Sequence, residues 1–350
     1  MSHDRAMVFG ATGFTGGLVC ATLRRLGVPF AVAGRRRQEV EEVRERFGAE
    51  HAVVADPAAP ATLAGLFGGR ERVLISCAGP FLRCGWPVVE AAVEAGVHYL
   101  DTTGEQPFIR MVADQLGGAA LAKGSTVVCG MAMEFAVGDW AAQLAMRRAH
   151  MKRFEEVVVA YSLTGGGVSH GTALSIFEMF ARPAWSWERG RYKKRTAGYA
   201  RRRIPFPFGE RTCLWAPFGE IVYLARRGTV DSAATYLRIT GPAAEIFRWS
   251  GVVGRPLKPL LRPLVAAWVA AQPAHPSPSQ RRASRFTIVA GADGSRVVTS
   301  GSDSYGLTAE IIAAGAQHLL SNDAPRGVRS PATIGLAPRK TLSSVGVMVE

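Results

Sequence analysis

The chain has 350 residues, 48% of them apolar and 20% charged, and a formal charge of +14. That is an ordinary globular composition with enough length for two modest domains and a substantial core. Five cysteines, with no Cys-x-x-Cys pair and no His grouping at zinc-ligand spacing, exclude a disulfide framework and a bound metal, and read as reduced thiols of a cytoplasmic protein.

The opening Met1-Ser2-His3-Asp4-Arg5 runs directly into an apolar strand, the wrong order for a secretory signal. The first 130 residues then alternate short β-branched runs with amphipathic stretches, the pattern of βαβ units feeding a parallel sheet. The spacing predicts strands at Ala6–Phe9, Phe30–Ala33, Ala52–Val54, Arg72–Ser76, Val97–Leu100 and Thr126–Cys129, with helices between them. Asp56-Pro57 has the form of an N-cap followed by proline at the first helical position, and Gly96 that of a helix stop.

The glycine-rich turn Gly10-Ala11-Thr12-Gly13-Phe14-Thr15-Gly16 follows Val8-Phe9 and opens an apolar helix containing Leu18, Val19 and Leu23. Such a turn lets backbone amides approach a pyrophosphate, whose charge the helix N-terminus also favours. At the end of the second strand an acidic side chain would bind a ribose 2′-hydroxyl, whereas arginine accommodates a 2′-phosphate. Here the chain reads Ala33-Gly34-Arg35-Arg36-Arg37, and cations opening a helix oppose its dipole by some tenths of a kcal/mol each, so their placement points to NADPH. Cys77-Ala78-Gly79-Pro80-Phe81 leaves the fourth strand with small residues that let the backbone approach a dinucleotide; a plain Gly-Pro turn is the alternative.

Beyond Phe135 a helix-like stretch at Gly138–His150 leads to a longer strand at Val157–Leu163 and the turn Gly165-Gly166-Gly167, where a second domain begins. Residues 182–211 contain ten Lys or Arg against only Glu188 and Glu210, a surface for an acidic partner or a solvated face. More strand-like sequence lies near Ala233–Ile239. In the segment punctuated by Pro256, Pro259 and Pro263, the apolar run Leu264–Ala271 is eight residues long, far below the roughly 20 needed to span a bilayer. A hairpin follows, with Arg285–Ala290 and Arg296–Thr299 joined through Gly291-Ala292-Asp293-Gly294. Tyr305–Leu320 is helical in spacing, and Ser330-Pro331-Ala332 starts a last short helix.

None of the seven tyrosines has a lysine four residues later, which excludes the Tyr-Lys pair of short-chain dehydrogenases. The chain instead resembles the saccharopine dehydrogenase-like reductases, particularly their trans-acting enoyl reductase branch. The resemblance rests on Gly10 to Gly16, Ala33-Gly34-Arg35, Cys77 to Phe81 with Gly85-Trp86-Pro87-Val88-Val89-Glu90-Ala91, and His98-Tyr99-Leu100-Asp101-Thr102-Thr103-Gly104-Glu105. It continues in Ser169-His170-Gly171-Thr172-Ala173, Gly306-Leu307-Thr308-Ala309 and Ser330-Pro331-Ala332. It implies an α/β fold: a Rossmann-type doubly wound parallel sheet over 1–135, an inserted α/β (α+β) substrate or dimerisation domain over 136–304, and C-terminal helices over 305–350 returning to the Rossmann domain. It also implies hydride transfer from NADPH. Two departures, Met131-Ala132-Met133-Glu134-Phe135 after the sixth strand and Asp303-Ser304-Tyr305-Gly306 near the tail, lie where a substrate would sit.

The expected cofactor residues are Gly10, Thr12, Gly13, Phe14, Thr15, Gly16, Gly34, Arg35, Arg36 and Cys77 through Phe81. Reducing an activated double bond also needs an anion-stabilising group and a proton source. Tyr99, Glu105 and His170 are candidates, His170 first because its unperturbed pKa lies near neutrality. Met131, Met133, Phe135, Ser169 and Thr172 are candidate substrate contacts. Each has a structural alternative: core packing for Tyr99 and the apolar residues, an N-cap for Ser169, a first-turn dipole partner for Glu105, an exposed helix position for His170. The expected function is reduction of an enoyl thioester, carrier-bound to an acidic carrier protein, by a chain that is a homodimer and takes no nucleic acid. Imine reduction of the saccharopine type is the alternative. A non-catalytic dinucleotide-binding protein on an anionic lipid surface, through Leu257, Leu260, Leu261, Leu264 and Trp268 with Arg255, Lys258 and Arg262, is the third.

Overall fold

The computed structural model describes residues 4–166, 173–174, 182–239, 267, 270, 275–321 and 323–350. The chain divides into two compact units. One gathers the residues up to Thr103 with Pro107–Ala136 and Tyr305–Ala337; the other gathers Gly104–Gln106, Val137–Ser304 and Pro338–Glu350.

The N-terminal part runs β1 (Arg5–Phe9), α1 (Phe14–Arg25), β2 (Phe30–Gly34), α2 (Arg37–Phe47) and β3 (Ala52–Val54). A 3₁₀ helix (Pro60–Leu66), β4 (Glu71–Ser76), α3 (Phe81–Glu94), β5 (His98–Asp101), α4 (Gln106–Gln115), α5 (Gly117–Ala122) and β6 (Thr126–Val128) follow. β1 and β2 are buried at every position, because a parallel sheet is covered on both faces; hence their unbroken apolar runs. Arg5 is tolerated at the start of β1 because its guanidinium bonds Glu71 and Glu50, each at 2.6 Å. α1 buries Gly16, Val19, Cys20 and Leu23, one stripe at helical spacing. The helix start expected at Asp56-Pro57 is instead a turn. Asp56 Oδ1 accepts the Ala58 amide at 2.9 Å, a local bond that competes with helix, and the proline-led start occurs at Pro60.

A π-helical turn (Met133–Val137) runs into α6 (Gly138–Ala149), then β7 (Phe154–Thr164). Next come β8 (Ala184–Glu188), β9 (Arg191–Arg195), β10 (Arg201–Phe206), β11 (Gly209–Trp215), α7 (Glu220–Arg226), β12 (Val230–Arg238), α8 (Pro278–Ala283), β13 (Arg285–Ala292) and β14 (Ser295–Ser302). The basic stretch is thus two antiparallel hairpins, β8–β9 and β10–β11. The β13–β14 turn is tighter than expected: Asp293 and Gly294 alone form it, at φ +38° and +85°, the conformation a two-residue hairpin requires.

The chain closes with α9 (Ser304–Ser321), β15 (Gly327–Val328), a 3₁₀ turn (Pro331–Thr333), α10 (Pro338–Ser344) and β16 (Met348–Val349). Ser330 caps the 3₁₀ turn as expected, but this is not the last helix, since α10 follows. The sheet of the first unit has the order β15-β6-β5-β4-β1-β2-β3, and every recorded pair in it is parallel. The second sheet is mixed, in the order β10-β11-β12-β7-β13-β14-β16, with β8 and β9 attached through β12. Trp215, Phe206, Ile204, Ile221 and Val289 form its core. Because β16 pairs with β14, residues 338–350 pack with the second unit, and only 305–337 with the first.

Candidate functional site: a glycine cradle at the switch point

The strand order of the first sheet reverses between β1 and β4, and in open α/β sheets ligands bind beyond the carboxyl ends of the strands at such a switch point. Two loops leave the sheet there. Gly10–Gly16 follows β1, and Cys77–Pro80 follows β4. The loops touch: a Cβ on Gly10, whose φ is +78°, would stand 2.9 Å from the Ala78 nitrogen.

Each glycine has its own reason. Gly10 takes a left-handed conformation that side chains disfavour and makes the close approach to Ala78. Gly13 is the N-cap of α1 and donates to Gly10 O at 3.1 Å. A Cβ on Gly16 would overlap the Gly10 carbonyl oxygen and fall 2.8 Å from Ala11 Cα, so only glycine lets α1 start this close to β1. Thr12 and Gly13 are exposed, Phe14 and Thr15 partly so. A side-chain-free surface ending in a helix N-terminus, whose first amides lack intrahelical partners, fits a pyrophosphate.

Gly34 lies beside this turn, since a Cβ there would stand 3.6 Å from Thr12 Cγ2. The end of β2 therefore adjoins the cradle. Arg35 and Arg36 are both exposed, but Arg36 is engaged by Glu39 at 2.6 Å, whereas Arg35 has no partner among the described residues. Of the two, Arg35 has its guanidinium open, as does Arg37 at the start of α2, and Arg35 directly follows the end of β2. From the tail, Tyr305 packs edge-on against Phe14, ring centroids 5.3 Å apart.

On the β4 side, Cys77 donates its amide to Phe9 O at 2.9 Å, and the Cys84 thiol reaches Pro80 O at 3.1 Å. Gly79 is exposed, while Phe81 is buried against Phe108 with centroids 5.7 Å apart. Gly85 permits that contact, because a Cβ there would lie 2.8 Å from the Phe108 ring. Burial pushes the Cys77 thiol well above its ordinary pKa.

At the ends of β5 and β6, Asp101 is fully buried, and its Oδ1 accepts the amides of Thr103 at 3.0 Å and Gly130 at 2.8 Å. Burial lifts its pKa to about 6 against the lowering effect of those bonds. Tyr99, also fully buried, is pushed well above its usual range by desolvation. Met131, Met133 and Phe135 are each at most 2% exposed. Met131 packs where α9 offers Gly315, a Cβ on which would stand 2.7 Å from Met131 Cε; the Met133 amide donates to Thr308 Oγ1 at 3.1 Å. Glu134, in the π turn, has its pKa raised by burial.

Glu105 is buried and belongs to the second unit, next to Gln106. The Gln106 amide brackets β8, donating to Trp185 O at 2.8 Å and accepting from Trp185 N at 2.9 Å. His170, Ser169 and Thr172 lie outside the described residues, as do Leu257, Leu260, Leu261, Leu264, Trp268, Arg255, Lys258 and Arg262. Asp101, Glu134 and Tyr305 were not singled out from the sequence as site residues. Each had a signal: a charge closing an apolar strand, or a place within a motif that departs from the family pattern.

Residues 6–128 match the saccharopine dehydrogenase NADP binding domain family, so this segment is an NADP-binding domain. A provisionally named trans-acting enoyl reductase of Mycobacterium tuberculosis is 32% identical over 184 residues, which cover 50% of this chain and 44% of that protein. A trans-acting enoyl reductase of Mycobacterium ulcerans is 34% identical over 149 residues, 41% of this chain and 35% of its own length. The matches thus span less than half the length of these relatives. Apo saccharopine dehydrogenase (L-Glu forming) of Saccharomyces cerevisiae shares the fold, with a TM-score of 0.63 at 11% identity and 99% coverage of both chains.

Proposed function

We propose, on the premise that residues 6–128 are a saccharopine dehydrogenase NADP-binding domain, that the chain is an NADPH-dependent oxidoreductase that reduces the activated C=C bond of an enoyl thioester. The observation that carries the reading is the cradle of Gly10, Gly13 and Gly16 at the β1/β4 switch point, with unpartnered Arg35 beside it at the end of β2. When bound, NADPH supplies the hydride. Gly10 to Gly16 hold the pyrophosphate on main-chain amides, Gly34 keeps the ribose approach open next to Thr12, and Arg35 pairs with the 2′-phosphate. Ala78 adjoins Gly10, and with Gly79 and Pro80 it would form the opposite wall.

The enoyl choice is supported by the two mycobacterial relatives, each named as a trans-acting enoyl reductase. His170 is the proposed proton donor to the α-carbon, with Tyr99 and Glu105 as further candidates and Ser169, Thr172, Met131, Met133 and Phe135 as substrate contacts. A carrier-bound acyl chain fits a partner with acidic character, and the cations of the β8–β9 and β10–β11 hairpins supply the complementary surface. Arg202 is already paired with Glu156, Arg203 with Glu210, and Lys193 and Arg195 with Glu188, so among the described residues Arg189, Arg191, Lys194 and Arg201 carry the charge available to it. The five cysteines are free thiols, which supports a reducing compartment, and among the described residues no helix is long and apolar enough to cross a membrane.

Incubation with deuterated NADPH and a panel of enoyl thioesters and cyclic imines tests the reaction. Label at the β-carbon is the expected result. Label only at the carbon bonded to nitrogen replaces this reading with imine reduction, and turnover of neither by protein that binds NADPH favours a non-catalytic role.

A further inference from the structure

We propose that Asp101 is a positioning residue that shapes the nicotinamide end of the dinucleotide site, by clamping the main-chain amides of Thr103 and Gly130 into one ledge. The proposal rests on the dinucleotide reading of the first unit. Ser76 and Asp101 are register partners at the ends of β4 and β5, and the Thr102 amide donates to Ser76 O at 3.2 Å. Asp101 O accepts the Met131 amide at 2.7 Å, while its side chain holds Thr103 and Gly130. One residue thereby ties the chain leaving β5 to the chain leaving β6. Gly130, which gives its amide to the carboxylate, is at φ +81°, in the left-handed region that favours glycine.

A fully desolvated carboxylate is expensive, and an apolar residue would end β5 without that cost. Two charge-assisted amide bonds offset it, so the side chain stands where two loop amides need an acceptor. The titratable groups that face it are Tyr99 on β5, Cys129 after β6 and Cys77 after β4. Burial raises the pKa of all three, so they stay neutral and Asp101 is the charge among the four. Its own titration near 6 falls inside the working range of an enzyme. The adenosine half of a dinucleotide belongs to the β1–β2 side of the switch point, which places the β4–β6 ends under the nicotinamide half.

Titration calorimetry of the full chain with NADP+ and with adenosine 2′,5′-bisphosphate, which lacks the nicotinamide half, tests this. Asp101→Ala is expected to weaken NADP+ about fivefold or more and to leave the bisphosphate within about twofold. Asp101→Asn, whose amide oxygen still accepts both main-chain bonds, is expected to recover most of the NADP+ affinity. Asp101→Glu, which keeps the charge but moves the acceptor by one methylene, is expected to stay weak for NADP+ and near normal for the bisphosphate. If Asp101→Ala does not fold, Asp101→Glu decides. Equal weakening of both ligands, weakening of neither, or no recovery of NADP+ affinity in Asp101→Asn overturns the clamp while leaving dinucleotide binding intact. An unsubstituted chain that binds neither ligand overturns the dinucleotide reading, and the clamp with it.

Discussion

The Cα of Gly10 faces the backbone of Ala78 so closely that a methyl group added to it would stand 2.9 Å from the Ala78 nitrogen, in a residue already at φ +78°. The loops after β1 and β4 are therefore held apart only by the width of two main chains. Gly10→Ala is expected to cost about 1–3 kcal/mol of stability through the strained φ alone, and to weaken NADPH by displacing the Ala78 loop. Thermal melts and fluorescence titration check this. A variant with unchanged melting temperature and affinity would show that the cradle relaxes freely.

Arg35 is the proposed partner of the cofactor 2′-phosphate. Replacing it with alanine should weaken NADPH roughly tenfold to a hundredfold, the worth of a charge-assisted contact of about 1.5 to 3 kcal/mol, while sparing NADH. Arg36→Ala should do less, because that guanidinium is engaged by Glu39. Equal affinity of the unsubstituted protein for NADPH and NADH would remove the basis for this assignment.

His98 makes the stability of the first unit sensitive to acid. Burial, aided by the charge of Arg326, lowers its pKa from the ordinary 6.5 to about 4, and its Nδ1 accepts the Thr126 amide at 2.9 Å. The unfolded chain takes up the proton near 6.5 and the folded chain only near 4, so this contribution to stability is lost as pH falls across that window. Asp101 acts in the opposite sense, since its raised pKa favours the folded state as pH falls toward 4. His98→Asn, which retains an oxygen acceptor but cannot titrate, should therefore lose less stability than the unsubstituted chain between pH 6.5 and 4. Parallel melting curves for the two across that range would contradict the assignment.

The carrier-docking reading predicts a difference between two kinds of substrate. Charge reversal at Arg201, which makes no ion pair among the described residues, should raise the Michaelis constant for a carrier-bound enoyl thioester several-fold and leave a short free thioester nearly unaffected. Reversal at Arg202 or Arg203 also breaks contacts with Glu156 or Glu210, so those variants need a melting control. An equal effect on both substrates points to a fold defect.

The first sheet was legible from the sequence because its determinants are local: unbroken apolar strands covered on both faces, a glycine turn between strand and helix, and small residues leaving β4. The β13–β14 hairpin was legible for the same reason, although its turn is two residues rather than the four expected. What the sequence could not disclose depends on segments far apart in the chain. The periodicity that marks Tyr99, Met131, Met133 and Phe135 as apolar does not say what covers them; Tyr99 lies between β4 and β6 and Met131 against α9, and all four side chains end up with almost no exposed surface. Asp101 and Gly130 are brought together only because β5 and β6 pair in parallel register, Leu100 against Val128. The return of 305–337 to the first unit while 338–350 joins the second follows from strand pairing, β15 on β6 and β16 on β14, and two-residue strands leave no pattern in a sequence. Chain-local chemistry determined the cradle, and tertiary packing decided which polar groups around it are buried, paired or open.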